Sequence, residues 1–273
     1  MNMKKKTLAT VISQKEIAPG IFDMWLKTEI AAEAGAGQFI GVFSPDKSTI
    51  LPRPISICEV DKAQSAIRLV YRIAGKGTAE FSKSVAGDTL EVLGVLGNGY
   101  DLEALQGKTV MLMGGGIGIP PMLELAKELF MQNEKLTAEG KAECKSEIIV
   151  VVGYRDAQTF LKEDLEKYGR VVIASEDGSV GTKGNVMNAV AEEGLKADAI
   201  CSCGPMPMLR AIKKYAEEAG IPAFISLEEH MACGVGACLG CVVKTKEIDH
   251  HSHVNNARIC TDGPVFLAAD VEI

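Results

Sequence analysis

The chain is poor in aromatic side chains: only 5% of its residues are Phe, Trp or Tyr, and Trp25 is the single tryptophan. Little is left for stacking on nucleobases. The formal net charge of −7 removes the positive field that nucleic acids and anionic membrane surfaces require, so neither is expected as a partner. No apolar run approaches the ~20 residues of a membrane span. Lys4, Lys5 and Lys6 look like the start of a signal peptide, but Thr, Ser, Gln and Lys interrupt the stretch from Leu8 to Ile17, which leaves no apolar h-region. A solvated terminus is expected there. Histidine is scarce, and no Ser/His/Asp arrangement or distinctively spaced carboxylate pair stands out. The eight cysteines in 273 residues do not make a disulfide scaffold, and half of them fall in one ligand pattern, which points to a reducing cytoplasm. Apolar residues at 47% and charged residues at 24% imply ordinary packed cores, with room for two domains and an added module.

The ligand pattern is Met231-Ala-Cys-Gly-Val-Gly-Ala-Cys-Leu-Gly-Cys241, completed by Cys260. Its spacing is C-x4-C-x2-C-x18-C, the order of a plant-type 2Fe–2S site, in which four thiolates hold two irons. Glycines at 234, 236 and 240 let a short loop wrap closely and aim amide N–H groups at sulfur. The alternative is a structural four-Cys zinc knot, but such knots pair two short clips, whereas here three cysteines share a loop and Cys260 stands apart. Cys233, Cys238, Cys241 and Cys260 are the expected cluster ligands. His250, His251 and His253 lie between the third and fourth; a solvated loop is the plainer reading of them, metal binding the other.

From Thr7 to about Gly97 short β-type runs alternate with Gly, Pro and Asp: Leu8–Ser13, Ile21–Leu26, Gln38–Phe43, Ile55–Val60, Ile67–Ile73 and Thr89–Leu93. Their spacing predicts an antiparallel barrel, with a short helix over 77–85. Two places within it suit a phosphate group. Leu51-Pro-Arg-Pro-Ile-Ser-Ile-Cys58 sets Arg53 and Ser56 beside two rigid prolines, and an Arg fork matches phosphate bidentately. Tyr71-Arg-Ile-Ala-Gly-Lys-Gly-Thr78 brings a glycine turn to a helix start. A surface charge and an ordinary turn are the plain alternatives.

After Gly107 the grammar changes. Thr109–Met113 is a short apolar run of the kind buried on both faces of a parallel sheet. It enters Gly114-Gly-Gly-Ile-Gly-Ile-Pro-Pro121 and then a helical pattern over Met122–Met131. Strands Ile148–Val152, Val171–Ala174 and Ala199–Cys203 alternate with helices Leu161–Tyr168, Asn185–Glu193 and Pro207–Ala219, which predicts an open parallel sheet. The first turn, with Gly114, Gly116, Gly118 and Pro121, is the place for a dinucleotide pyrophosphate, although proline replaces the last glycine of the usual G-x-G-x-x-G. The turn Cys203-Gly-Pro-Met-Pro-Met208 follows the last strand at the same edge, so Cys203 either faces a nicotinamide or is a small buried residue. Glu176 and Asp177 follow Ala174; at an adenosine ribose they would accept hydrogen bonds from a 2′-hydroxyl and repel a 2′-phosphate, favouring NAD over NADP. The division expected is a barrel over 1–104, an α/β domain over 105–225 and a cluster module over 226–273.

Taken in order, these pieces resemble the ferredoxin–NADP reductase superfamily along essentially the whole chain, and more closely the electron-transfer subunits of type B dihydroorotate dehydrogenase. The resemblance implies that Arg53, Pro54, Ile55, Ser56, Gly77 and Thr78 hold FAD, that Val70, Tyr71 and Arg72 belong to a second flavin-contacting segment, and that the four cysteines bind 2Fe–2S. Asp262-Gly-Pro-Val-Phe266 matches the motif that follows the fourth ligand. Ile55 stands where many of the reductases place an aromatic over the flavin, and Ile117 where many have Thr. Cys233 stands where relatives that bifurcate electrons carry Asp. The implied partner is an FMN-containing dihydroorotate dehydrogenase catalytic subunit, in a hetero-oligomer of two of each chain, and the implied path runs from its flavin through the cluster and FAD to NAD. A subunit serving another oxidoreductase, and a redox-sensing regulator without turnover, are the rival readings.

Overall fold

The computed structural model describes residues 4–46, 48–248 and 253–273. The chain forms two compact units, one of Met1–Gly99 with Glu228–Pro264 and the other of Tyr100–Leu227 with Val265–Ile273.

In the first unit, strands β1 (Lys5–Ala18), β2 (Ile21–Lys27), β3 (Phe39–Val42), β4 (Arg53–Asp61), β5 (Ala66–Arg72) and β6 (Thr89–Leu96) close a barrel in the order β1-β2-β5-β4-β3-β6. Each neighbouring pair is antiparallel. The period of two sorts the side chains: Ala9 and Val11 of β1 are buried, while Leu8, Thr10 and Ile12 face out. Met24, Leu26, Ile40, Ile57, Ile67, Leu69 and Val92 fill the interior with the ring of Phe81, which closes helix α1 (Lys76–Phe81) against it. Each such side chain contributes about 1.5–3 kcal/mol by leaving water. The helix expected to reach residue 85 stops sooner because the chain turns back to β1: the Asp88 carboxylate accepts the Val85 N–H at 2.9 Å, and the Gly87 N–H donates to the Val11 carbonyl at 2.9 Å. The lysine run is solvated as expected, with Lys4, Lys5 and Lys6 exposed; from Lys5 onward it belongs to β1, and Lys6 pairs with Glu91 at 2.8 Å.

The second unit holds α2 (Leu102–Leu105), β7 (Thr109–Gly115), α3 (Pro120–Ala138), β8 (Glu147–Tyr154), α4 (Lys162–Leu165), β9 (Arg170–Ser175), β10 (Thr182–Lys183), α5 (Val186–Glu192), β11 (Ala199–Cys203), α6 (Met206–Ala219) and β12 (Ala223–Ser226). Its strands lie in the order β10-β9-β8-β7-β11-β12 and run parallel. The four central apolar runs read from the sequence are β7, β8, β9 and β11. Val110–Met113 and Val150–Val152 are wholly buried, as a strand covered on both faces requires.

After residue 227 the chain re-enters the first unit, where β13 (Val242–Lys244) and β14 (Asn256–Arg258) form a small hairpin. The last strand, β15 (Val265–Leu267), pairs antiparallel with β12. The expected third segment, 226–273, is therefore divided: its cysteines belong with the barrel unit and its tail with the sheet. The physical reason is that β12 would otherwise leave an open row of backbone donors and acceptors. Among the described residues no helix is long and apolar enough to cross a membrane. His250 and His251 lie outside the described residues, and His253 is exposed.

Candidate functional site

Three clusters of residues carry the chemistry expected from the sequence. In the barrel unit, the β3–β4 pairing sets Arg53 opposite Val42, Pro54 opposite Gly41, Ile55 opposite Ile40 and Ser56 opposite Phe39. The Arg53 side chain lies across the start of α1: a Cβ at residue 77 would stand 2.7 Å from its Nε and 3.0 Å from its Cζ. Glycine at 77 thus makes the cradle in which the guanidinium rests, and the two phosphate-suited stretches meet. Arg53 Nη1 donates to the Leu51 carbonyl at 2.6 Å. The Thr78 hydroxyl, nearly buried, accepts the N–H groups of Ala74 and Gly75 at 2.9 and 3.2 Å and so shapes the turn itself. Lys76 Nζ bridges Asp46 and Ser48, both at 2.6 Å, which ties these two residues to this turn. That hydrogen bond from Lys76, with the N–H and hydroxyl of Ser48, lowers the Asp46 carboxyl to about 2.

The expected flavin-contacting segment divides. Arg72 is exposed and Val70 buried, but the Tyr71 ring points into the barrel core, with Phe22 and Phe81 each 6.0 Å away. Burial raises the Tyr71 pKa. Its hydroxyl donates to Gln14 Oε1 at 2.7 Å, and Gln14 Nε2 donates to the carbonyls of Phe81 and Ser84 at 3.0 and 2.8 Å. Gln14 thereby fixes the end of α1, a role with no local signal in the sequence.

In the sheet unit, β7 and β11 are neighbours with Gly114 opposite Cys203, so the two glycine-rich turns stand side by side at the carboxyl edge, where ligands of such sheets bind. They interlock. A Cβ on Gly118 would overlap the Cys203 carbonyl, and one on Gly114 would come within 2.9 Å of the Ile119 Cα. Gly116 has a φ of +54° and open space where a side chain would be, leaving room for a ligand at the start of α3. Pro121 sits in the first turn of that helix, whose N-terminal end favours an anion. The Cys203 side chain is wholly buried, near the Tyr100 hydroxyl that donates to the Ser202 carbonyl at 3.3 Å. Asp177 is committed to its own loop, its Oδ1 accepting the Ser179 N–H at 2.9 Å and hydroxyl at 2.6 Å. Glu176 is exposed beyond the end of β9, its N–H bonded to the Tyr154 carbonyl at 3.1 Å.

The four pattern cysteines lie in two pairs. Cys233 is hydrogen-bonded with Cys238 and Cys260 with Cys241, and Cys233 is close enough to Cys260 to be felt electrostatically. Among the described residues no three His, Cys, Asp or Glu donors gather as a single-ion site would need. Two pairs of thiols suit two irons joined by sulfides, each iron taking two protein ligands. The N–H groups of Val235 and Ala237 donate to Cys233 Sγ at 3.4 and 3.3 Å, and the Gly236 N–H donates to Cys260. Positive φ values of +67° and +82° at Gly234 and Gly236 turn these groups inward. Burial pushes the Cys233 thiol up, but the N–H donors and Cys238 outweigh it and bring it to about 7. Burial and the neighbouring Cys241 push the Cys260 thiol up to about 12. Cys241 and Cys260 are buried, whereas Cys238 is exposed, with Val235 and Leu239 exposed beside it.

Residues 228–272 match the model of the iron-sulfur cluster binding domain of dihydroorotate dehydrogenase B, and residues 112–214 that of the oxidoreductase NAD-binding domain. A Streptococcus mutans protein named dihydroorotate dehydrogenase B (NAD(+)), electron transfer subunit, is 42% identical over 266 residues, 96% of each chain. A Listeria monocytogenes protein of the same name is 40% identical over 271 residues, 98% of this chain and 99% of that one. Among solved structures, one described as an NADH-dependent reduced ferredoxin-NADP oxidoreductase, studied for flavin-based electron bifurcation, superposes with a TM-score of 0.81 at 26% identity, covering 98% of this chain and 91% of that one. A Neisseria gonorrhoeae ferredoxin NADP+ reductase shares the fold at a TM-score of 0.63 and 17% identity, over 79% of this chain and 92% of its own.

Proposed function

The chain belongs to the family of dihydroorotate dehydrogenase B (NAD(+)) electron transfer subunits, and from that premise we propose which of its residues hold each redox group. It carries electrons from the dihydroorotate-oxidising catalytic subunit to NAD in pyrimidine synthesis, with a 2Fe–2S cluster, FAD and NAD as its redox groups. When bound, the cluster would pass electrons singly and the flavin would pair two of them with a proton, as the hydride that NAD accepts.

Cys233, Cys238, Cys241 and Cys260 hold the cluster. The pairing of their thiols, with backbone N–H groups aimed at Cys233 and Cys260, is the observation that carries this reading. Those N–H groups stabilise negative charge on sulfur. Arg53, in its cradle over Gly77, offers its guanidinium to the FAD pyrophosphate, and Pro54, Ile55 and Ser56 continue that contact along β4. Val70, Arg72 and Thr78 complete the flavin side, Thr78 by ordering its turn, while Tyr71 supports α1 from inside the barrel. Gly114, Gly116 and Gly118 let the NAD pyrophosphate approach the backbone, with Pro121 in the first turn of α3 and Glu176 accepting from the adenosine ribose. Cys203 shapes this edge through its carbonyl against Gly118. The exposed Cys238, bordered by Val235 and Leu239, favours docking of the FMN-containing catalytic subunit on the cluster face, in an assembly of two of each chain within the cytoplasm.

Isolation of the chain anaerobically from its native cells, with whatever it retains, tests the whole reading. Dihydroorotate and NAD added together are expected to give steady NADH formation. Cys238→Ser is expected to stop that transfer while FAD stays bound; loss of FAD with the cluster would refute the separation of the two groups. Dye reduction by NADH without any dihydroorotate-dependent turnover would leave a flavin reductase serving another partner. Neither activity, with the redox groups present, would turn the reading to a regulator.

A further inference from the structure

The turn that carries Cys260 is closed on itself. The Arg258 carbonyl accepts the N–H groups of Thr261, Asp262 and Gly263 at 3.1, 2.7 and 3.2 Å. Asp262 returns the contact: its Oδ2 accepts the Arg258 backbone N–H at 2.7 Å and Nε at 3.1 Å, and its Oδ1 accepts Arg258 Nη2 and the Thr261 hydroxyl, both at 3.2 Å. The turn is also fixed from two sides. The Ile259 N–H donates to the Cys241 carbonyl at 2.8 Å, and the Asn98 amide donates to the carbonyls of Thr261 and Asp262 at 2.9 and 3.2 Å. Facing it, the three-cysteine loop enters at Gly236, where a Cβ would stand 2.9 Å from Thr261 Cγ2 and 3.6 Å from Arg258 Nη1.

Arg258 therefore has one guanidinium edge on Asp262 and its remaining nitrogen toward the loop that holds the other three cysteines. We propose that Arg258 and Asp262 are positioning residues for Cys260 that also set the reduction potential of the cluster, acting as a matched pair of opposite charges, each two residues from that ligand. This rests on the reading of the four cysteines as cluster ligands. Reduction adds one negative charge to the cluster, so a nearby cation favours the reduced form and a nearby anion opposes it. Held together, the two fields largely cancel; with either member neutralised, the other acts alone. Two-point guanidinium–carboxylate geometry, which lysine cannot reproduce, keeps the pair in register.

The test is a potentiometric titration of the chain isolated with cluster and flavin bound, followed by the cluster's electron paramagnetic resonance signal, with iron per chain measured in parallel. D262N is expected to raise the cluster potential and R258Q to lower it, with the R258Q/D262N double variant returning close to the parent. R258K keeps the charge and is expected to hold the potential while losing iron faster on storage. A purely structural role would not produce shifts of opposite sign. Shifts in the same direction, or none, in the two single variants with cluster bound would overturn the proposal. Should D262N fail to assemble, D262E and R258Q carry the same test: D262E is expected to match the parent and R258Q to fall below it, and an upward shift in R258Q overturns it. Cys260→Ser separates the underlying reading, since an unchanged cluster in that variant would refute the ligand assignment itself.

Discussion

The Tyr71 hydroxyl donates to Gln14 Oε1 at 2.7 Å, and the same amide holds the carbonyls of Phe81 and Ser84. One partly buried polar link thus joins β5, β1 and the end of α1, the helix whose first turn supports Arg53. Tyr71→Phe removes the donor from the partly exposed Gln14 Oε1, at a cost of about 0.5–1.5 kcal/mol. Denaturant unfolding of the parent and the variant, followed by circular dichroism, measures the difference. FAD is expected to remain bound to Tyr71→Phe but to dissociate faster, because the tyrosine supports from behind the turn proposed to hold it.

Two glycines of that turn separate space from composition. A Cβ at 77 would fall 2.7 Å from Arg53 Nε, whereas one at 75 meets nothing within 4 Å. Gly77→Ala displaces the guanidinium from its cradle and is expected to yield protein with much reduced flavin but a normal cluster spectrum. Gly75→Ala is expected to retain flavin. Flavin absorbance per chain after gel filtration decides it, and equal retention in both would remove Arg53 from the proposed pyrophosphate contact.

Much of this was legible in the sequence, and the part that was not has a common cause. The six barrel strands and the four central strands of the sheet follow from apolar periodicity, a local property. The cysteine spacing points to a cluster because such a site tolerates few loop lengths between ligands, and it matches the iron-sulfur family over 228–272. Gln14 gave no such signal: its partners are 57, 67 and 70 residues away, and any polar residue in a strand reads alike. Tyr71 was read by its segment alone, yet a strand sends neighbouring side chains to opposite faces, which puts its ring in the core. The tail from Val265 falls within the iron-sulfur family match over 228–272, and its pairing with β12 has no local signal, because strand edges are completed by whichever segment can reach them.

The Lys76–Asp46 contact gives an expected pH dependence. Asp46 is depressed from 3.8 to about 2, chiefly by the Lys76 hydrogen bond. A carboxylate with a lowered folded-state pKa stabilises the fold above its unfolded pKa and loses that contribution as pH falls through the folded value. The melting-temperature difference between the parent and Asp46→Asn is therefore expected to be constant above pH ~5 and to vanish across the window from 3.8 down to about 2. Lys76 is exposed and Asp46 partly so, and the difference is therefore also expected to shrink with added salt. A difference that persists unchanged at the acid end would show that Asp46 acts by shape, through its Ser48 turn, and not by charge.

In the proposed assignment Glu176, and not Asp177, carries the preference for NAD. Asp177 spends its Oδ1 on the N–H and hydroxyl of Ser179, which also lower its pKa; its carboxylate serves the turn. Glu176 stands exposed past β9, where an acid accepts from a ribose hydroxyl and repels a phosphate. Glu176→Gln removes the repulsion, and Glu176→Arg replaces it with attraction. For each step the ratio of kcat/KM for NADPH over NADH, read from dye reduction, is expected to rise roughly 10-fold, the factor that about 1.4 kcal/mol of charge interaction corresponds to. Asp177→Asn is expected to lower thermal stability and leave the ratio unchanged. If Asp177→Asn moves the ratio and Glu176→Gln does not, the ribose-facing acid is the one that the fold has tied into its own loop, and the loop must open to bind.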